Sequence, residues 1–180
     1  MATVAQAAKA MQAFKVGLPA AILRGLRKGM PIAIRISKTK YMARKDNRHP
    51  FKAFDPPNPP PGPLGIRSGD LARSVRLGDM RFTGKKVIAS IHAGYADRVR
   101  YARVHEQGMT IYPRNGPYLI FPVGVAGGGY RMVRATRVII PARPFLRPAL
   151  DDATPKILEI VVKEIRTLAR ATLAGIARFR

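Results

Sequence analysis

The residue types that carry out most enzyme chemistry are few in this chain and lie far apart. The three histidines are His49, His92 and His105. A hydrolytic site needs a nucleophile beside a base, or a metal ion with three or four ligands. No second histidine stands four residues after His105, so the zinc-protease pattern that would include Glu106 is absent. The chain has no cysteine, which excludes disulfides and thiolate metal sites.

The acidic residues and the glycine clusters also lack a catalytic pattern. Only Asp151 and Asp152 are adjacent acids, and just before a predicted helix they favour its positive N-terminal end, with magnesium binding as the alternative. Residues 78–86 resemble a phosphate-binding loop, but the spacing is one residue too long and neither Ser nor Thr follows the lysine. The glycines at 127–129 suit a tight hairpin. The sequence therefore predicts a protein that is not an enzyme and has no cofactor or metal ion.

Charge is the strongest feature of the composition. The 180 residues include 33 Lys and Arg against 10 Asp and Glu, a net charge of +23, while 47% are apolar. This apolar content excludes a disordered basic tail and is enough for one domain with a core. The excess charge favours a polyanionic partner, first nucleic acid and then anionic lipid, or an acidic protein. Zinc-finger, basic-zipper and RNP patterns are absent, so any nucleic-acid contact is expected to be with phosphate.

The N-terminal segment predicts an amphipathic helix. Gly17 and Pro19 predict a kink or break in it, and Gly29 and Pro31 predict its end. Isoleucine alternates with other residues across 32–36, which predicts a short strand. The segment lacks the uninterrupted apolar stretch of a signal peptide and is too charged to span a membrane, so we expect a soluble protein that does not bind a membrane. The apolar residues at helical spacing are Val4, Met11, Phe14, Leu18, Ile22 and Leu26.

Residues 38–64 show no periodicity and are basic and rich in proline. Seven prolines occupy 50–63, which predicts an extended, polyproline-like backbone. The segment is interpreted either as an arm that binds a neighbouring molecule or as a surface loop. For an arm, the predicted contact residues are Lys38, Lys40, Arg44, Lys45, Arg48, Phe51 and Phe54.

The remaining chain predicts short helices and strands, followed by one long helix. Ser68 or Asp70 is expected to cap the first short helix, and Gly108 to end the second. Thr154 is expected to cap the C-terminal helix, with Pro155 at its first position. The short helices are predicted at 68–75 and 95–107, and the strands at 75–82, 87–93, 110–112, 118–123 and 130–140, the last two as a hairpin.

These elements predict one α+β domain over residues 1–180. An antiparallel β-sheet is expected to pack against the N-terminal helix and the long C-terminal helix, with 38–64 as an extended Pro-rich loop. The C-terminal helix carries one apolar stripe, formed by Ile157, Val161, Ile165, Leu168 and Leu173.

Three segments carry a resemblance to a known family. They are Gly69-Asp-Leu-Ala-Arg-Ser-Val75, then Tyr101-Ala-Arg-Val-His-Glu-Gln-Gly108, then Ile140-Pro-Ala-Arg-Pro-Phe-Leu-Arg-Pro-Ala-Leu150 before the final helix. In this order they resemble the neck proteins of tailed phages, which are head–tail joining and tail-completion proteins that include the minor tail protein Z group. The related virion-morphogenesis proteins of Mu-like phages also carry a histidine at the position of His105. The likeness covers about 65–171, and the Pro-rich stretch before it looks like an insertion.

The resemblance implies a structural protein of the virion, assembled in the host cytoplasm. It implies a homo-oligomeric ring around the DNA channel, with other neck proteins on the portal or adaptor side and on the tail-terminator side. The positive charge suits non-specific contact with DNA in such a channel. The alternative is a non-specific nucleic-acid-binding protein of the nucleoid or the ribosome, which explains the charge but leaves the Tyr101 and Arg143-Pro-Phe segments unexplained.

The chemistry of these segments is consistent with that role and indicates which residues are expected to meet a neighbouring subunit. The prolines of Arg143-Pro-Phe-Leu-Arg-Pro148 restrict the backbone, so Phe145 and Leu146 are held in one pose. Those two side chains either fill their own core or anchor in a neighbour, where aromatic and arginine residues are typical hot spots. His105 and Glu106 either form a hydrogen-bonded pair at a helix end or take part in the same contact. The predicted interface consists of Tyr101, His105, Glu106, Arg143, Pro144, Phe145, Leu146, Arg147 and Pro148.

Overall fold

The computed structural model describes residues 4–44, 62–94, 99, 101–125 and 129–177. Its mixture of helices and short strands confirms the predicted α+β class. Two compact units are present: unit 1 contains residues 1–33, 77–91 and 152–180, and unit 2 contains 34–76 and 92–151. The assignment of 1–180 to a single domain stays a prediction. The elements are α1 (Val4–Thr39), β1 (Met42–Ala43), β2 (Leu64–Gly65), α2 (Asp70–Ser74), β3 (Arg76–Phe82), β4 (Val87–His92), α3 (Tyr101–Gln107), β5 (Met109–Ile111), β6 (Leu119–Gly124), β7 (Tyr130–Ala135), β8 (Val138–Ile140) and α4 (Arg147–Ala177).

Helix α1 is continuous, so a break near Gly17, the end at Pro31 and the strand at 32–36 are all wrong, while the alternative of a kink near Gly17 stays a prediction. Pro19 and Pro31 lie inside the helix. Each removes the hydrogen bond to the carbonyl four residues earlier, on the exposed residues Lys15 and Arg27, where water can replace it. The buried residues at 30, 33 and 37 recur every three or four positions, as one helical face requires. No helix within the described ranges is long and apolar enough to cross a membrane.

In unit 1 the glycines of α1 are contact points rather than helix breakers. A Cβ placed on Gly25 would lie 2.6 Å from the Cα of Val161, and one placed on Gly29 would lie 3.1 Å from the Cγ2 of Ile157. A Cβ on Gly17 would approach the side chain of Leu168 to 3.0 Å. The contacts run in opposite directions along the two helices, so α1 and α4 pack antiparallel, with small residues on α1 facing branched residues on α4.

One carboxylate links the same two helices electrostatically. Glu164 on α4 accepts a 2.6 Å hydrogen bond from the Lys28 ammonium, and its second oxygen lies 3.5 Å from Arg24 Nε. These hydrogen bonds and charges, chiefly those of Lys28, lower the pKa of Glu164. Stability from this group is therefore present above its unfolded pKa and is lost as the pH falls through the lower folded pKa.

Among the described residues, the strands form two-stranded ladders and not one sheet. β5 pairs antiparallel with β8, and β6 pairs antiparallel with β7, which confirms the predicted hairpin. β3 is hydrogen-bonded to β4, its neighbour across the turn at 83–86. The single strand predicted at 130–140 is wrong, because β7 and β8 join different ladders. β-Branched residues favour extended backbone but do not select a pairing partner.

The ends of the Pro-rich segment belong to the folded part of unit 2. α1 continues to Thr39, and β1 pairs in parallel with β2 through Met42↔Leu64 and Ala43↔Gly65. Met42 and Leu64 are buried in one apolar cluster with Val75, Val99, Ala102 and Phe145. The prediction of an extended arm is therefore wrong for 38–43 and for 64, and residues 45–61 lie outside the described residues.

The close approach at Gly25 makes a testable prediction about α1. Alanine has the higher helix propensity, so Gly→Ala in an exposed helix interior stabilises by up to about 1 kcal/mol. At Gly25 the new methyl group meets the α4 backbone, and we expect Gly25→Ala to lower the free energy of unfolding by about 1–3 kcal/mol. Urea unfolding followed by circular dichroism measures the change.

The matched control is Gly175→Ala on α4, where a Cβ would meet nothing within 4 Å. It should leave stability unchanged or raise it. Equal effects of the two substitutions would contradict the packing described for α1 and α4.

Candidate functional site

The carboxylate of Glu106 joins two of the three segments that carry the phage resemblance. Its Oε2 accepts hydrogen bonds from the backbone N–H groups of Phe145 at 2.8 Å and Leu146 at 3.1 Å. Its Oε1 accepts one from the N–H of Arg147 at 3.0 Å. One side chain near the end of α3 thus binds three successive amides almost forty residues later.

These three amides stand where α4 begins. The first helical hydrogen bond of α4 runs from Leu150 N–H to the carbonyl of Leu146, so the preceding amides have no partner inside the helix. Pro148 has no N–H that needs one. A carboxylate suits this place because it accepts several hydrogen bonds and its charge is favoured at a helix N-terminus. The predicted start of the helix at Thr154 and Pro155 is therefore wrong by two turns.

Backbone contacts continue the same junction on either side of Glu106. The N–H of Arg143 donates a 2.6 Å hydrogen bond to the carbonyl of His105. Gly108 ends α3, as predicted, with φ of +73°, and a Cβ there would lie 2.9 Å from the backbone nitrogen of Ala142. Glycine is required at this position by both its conformation and the close approach.

The exposed Tyr101 and the half-buried His105 form one edge of this junction. Their ring centroids lie 5.8 Å apart in an edge-to-face arrangement. Burial lowers the pKa of His105, and the charge of Arg143 lowers it further. The neutral imidazole is thus favoured, which can both donate and accept a hydrogen bond.

The Gly69–Val75 segment, the first of the three, is held to the unit by the hydroxyl of Ser74. Ser74 is fully buried, donates to the carbonyl of Leu71 at 2.7 Å and accepts from the N–H of Gly94 at 2.9 Å. At the start of α2, the Ser68 hydroxyl accepts from the Asp70 N–H at 3.3 Å, although Gly69 occupies the capping position. Ser68 therefore supports this helix start, and the carboxylate of Asp70 instead accepts from Arg73 at 2.7 Å.

A cavity of about 380 Å³, here called the unit 2 pocket, lies where the three segments meet. Leu71 and Ala72 come from the first segment, Tyr101 and His105 from the second, and Arg143 from the third. Further walls are formed by Met42, Leu64, Ile66, Arg67, Ile140 and Pro141. The pocket thus brings together the segments of the resemblance and the two strands that flank residues 45–61.

The predicted interface residues fall into three groups. Phe145 is fully buried in the apolar cluster of its own unit, so the prediction that it anchors in a neighbour is wrong and the core alternative holds. Leu146 packs against the same cluster, and Glu106 is occupied by the three amides. The surface group is formed by Tyr101, Pro144 and Arg147, which are exposed, and by His105, Arg143 and Pro148, which are half-buried.

The predicted arm residues are not brought together within the described residues. Lys38 belongs to α1, the Lys40 ammonium lies 5.3 Å above the ring of Tyr41, and Arg44 is exposed. Lys45, Arg48, Phe51 and Phe54 lie outside the described residues.

Of the residues that line the pocket, the sequence predicted only Tyr101, His105 and Arg143 as site residues. Arg67 and the β1–β2 pair line it, but a two-residue parallel pairing leaves no periodic signal in the sequence. Leu71, which forms part of the apolar wall, lies in one of the three segments of the resemblance, but the sequence predicted no role for it. Across the described ranges, no group of three or more His, Asp or Glu residues is placed to hold a metal ion.

Comparison of the chain with protein-family models, with curated proteins and with solved structures gives no match.

The Glu106 junction makes a prediction about stability. We expect Glu106→Ala to lower the free energy of unfolding by about 2 kcal/mol, because three amides lose a charged acceptor. Glu106→Gln keeps an acceptor oxygen without the charge, and its loss should be smaller. Chemical unfolding of each variant measures both values.

Glu159→Gln is the matched control, since Glu159 on α4 forms an exposed ion pair with Lys156 at 2.6 Å. An exposed ion pair of this kind contributes less than about 1 kcal/mol. If Glu106→Ala cost no more than Glu159→Gln, the junction would not hold the start of α4.

Proposed function

We propose that this chain is a structural component of the neck of a tailed-phage virion, where copies of it form a ring around the DNA channel. The observation that carries the proposal is the Glu106 junction. The Tyr101–Gly108 and Arg143–Pro148 segments carry the likeness to neck proteins, and hydrogen bonds between these same two segments organise unit 2. If the residues of these two segments are needed for this packing, other proteins built around the same junction would carry similar segments. The likeness to neck proteins would then reflect a shared structure.

Exposed apolar strands support the ring. β6 and β7 form a ladder of only two strands, and a two-stranded hairpin alone is marginal in water. Ile120, Tyr130 and Met132 on this ladder are each more than half exposed. Apolar surface of this kind marks interaction sites, so we assign the ladder to subunit contact.

The charge supports a place beside DNA or an acidic neighbour. A net charge of +23 repels copies of the chain from each other unless an anionic partner is present. Packaged DNA would supply that partner through its phosphates, without sequence specificity. Residues 45–61 remain our candidate for contact with an adjacent ring.

A phage that lacks this gene should make full heads and finished tails that do not join. Negative-stain electron microscopy of the lysate measures the fraction of joined particles. Supplying the wild-type gene in trans should restore joined, infectious particles. Glu106→Ala should restore them less well, because its unit 2 is less stable.

Normal particles from the deleted phage would contradict the neck role. The second candidate, a general nucleic-acid-binding protein, would then be tested with purified chain and duplex DNA. Tight binding by the monomer that weakens steeply with salt would favour it, whereas a ring that persists at high salt would not.

A further inference from the structure

The unit 2 pocket combines apolar walls with positive charge. Met42 and Leu64 are buried at its inner side, and Ile66 and Leu71 pack against the same cluster. Its volume of about 380 Å³ is within the range of sites that accept a small ligand or a large side chain. An apolar group can therefore be removed from water here without disturbing the core.

The polar groups of the pocket select an anion. Arg67 is exposed and Arg143 is half-buried, and both line the pocket. Among the described residues that line it, none is acidic. His105 also lines the pocket beside Arg143, and its imidazole carries a ring N–H that can donate a hydrogen bond to an incoming oxygen.

We propose that the unit 2 pocket binds an extended segment of a partner protein that presents a large apolar side chain next to a carboxylate. The side chain would enter between Leu64 and Leu71, and the carboxylate would face Arg67 and Arg143. Arginine pairs with carboxylates through two parallel hydrogen bonds, which gives such a segment an orientation. The inference goes beyond the virion role and does not depend on it.

The net positive charge of the chain favours a different, acidic protein over a second copy as the occupant of the pocket. The chain has only 10 acidic residues against 33 basic ones, so an approaching copy brings repulsion to an already positive surface. An acidic partner gains from the same field, which accelerates its encounter and orients it.

The test is selection from a random library of displayed twelve-residue peptides against the full chain at physiological salt. Selection against the Arg67→Gln/Arg143→Gln double variant runs in parallel. We expect the wild type to enrich peptides with Leu, Phe or Met beside Asp or Glu, and the double variant to lose this enrichment.

The affinity of one enriched peptide then distinguishes binding in the pocket from attraction to the net positive charge of the chain. The double variant should bind it at least about tenfold more weakly, whereas Arg114→Gln/Arg137→Gln removes two exposed charges of the same unit outside the pocket and should change affinity less than about twofold. Circular dichroism shows that each variant is folded. Leu71→Ala tests the apolar wall and should also weaken binding.

Three results would overturn the inference. The first is enrichment that does not differ between the wild type and the pocket double variant. The second is equal loss of affinity in the two double variants, which would indicate attraction to net charge alone. The third is enrichment of peptides that match this chain's own residues 45–61, which would assign the pocket to a second copy.

Discussion

The three hydrogen bonds from the backbone to Glu106 are the constraint on which the arrangement of unit 2 depends. They place the end of α3 against the start of α4, and the neighbouring contacts follow from that placement. The His105 carbonyl can accept from Arg143 only if the two segments run side by side, and β5 can pair with β8 for the same reason. Phe145, which follows this turn, is thereby directed into the core. A single carboxylate thus contributes to helix capping, strand pairing and core packing.

Unit 1 depends on a different constraint, the close approach of two helices at Gly25. Because glycine has no Cβ, the backbone of α4 at Val161 can approach α1 closely. The branched side chains of α4 then cover the small residues of α1, and Glu164 adds charged contacts to Lys28 and Arg24. Each unit therefore depends on one residue that positions a segment distant in the sequence: Glu106 positions the start of α4 in unit 2, and Gly25 allows α4 to approach α1 in unit 1.

Local sequence patterns predicted an element correctly where the spacing of apolar residues or a turn residue within that element determined its structure. The fold class, the β6–β7 hairpin, the end of α3 at Gly108 and the buried residues Ile157 and Val161 were all evident from spacing. The errors have one physical origin. Gly29 and Pro31 were interpreted by their intrinsic propensities, and Thr154 by its capping ability, while tertiary contacts determined the outcome in each case. The residue that caps α4 stands about forty positions away, where no local pattern could indicate it.

In the candidate site, too, local sequence patterns identified some residues, while others could be found only from the tertiary structure. His105, Glu106 and Arg143 were identified because their segments resemble a family, and that resemblance did not distinguish a core role from a contact role. The structure separates these roles. Phe145 is packed in the apolar cluster of unit 2, and Glu106 accepts hydrogen bonds from backbone amides of the same unit. Tyr101, Arg143 and His105 line the pocket. Arg67 and the β1–β2 pair entered the site only through tertiary structure.

Hydrogen exchange at the amides of Phe145, Leu146 and Arg147 tests the central claim most directly. Nuclear magnetic resonance can follow these amides in the wild type and in Glu106→Ala, with the Leu64 amide, which donates to the Tyr41 carbonyl away from the junction, as an internal reference. Our account predicts slow exchange in the wild type and an increase of at least about tenfold in the variant, relative to Leu64. Equal relative rates in the two proteins would contradict it and would mean that Glu106 does not hold the start of α4.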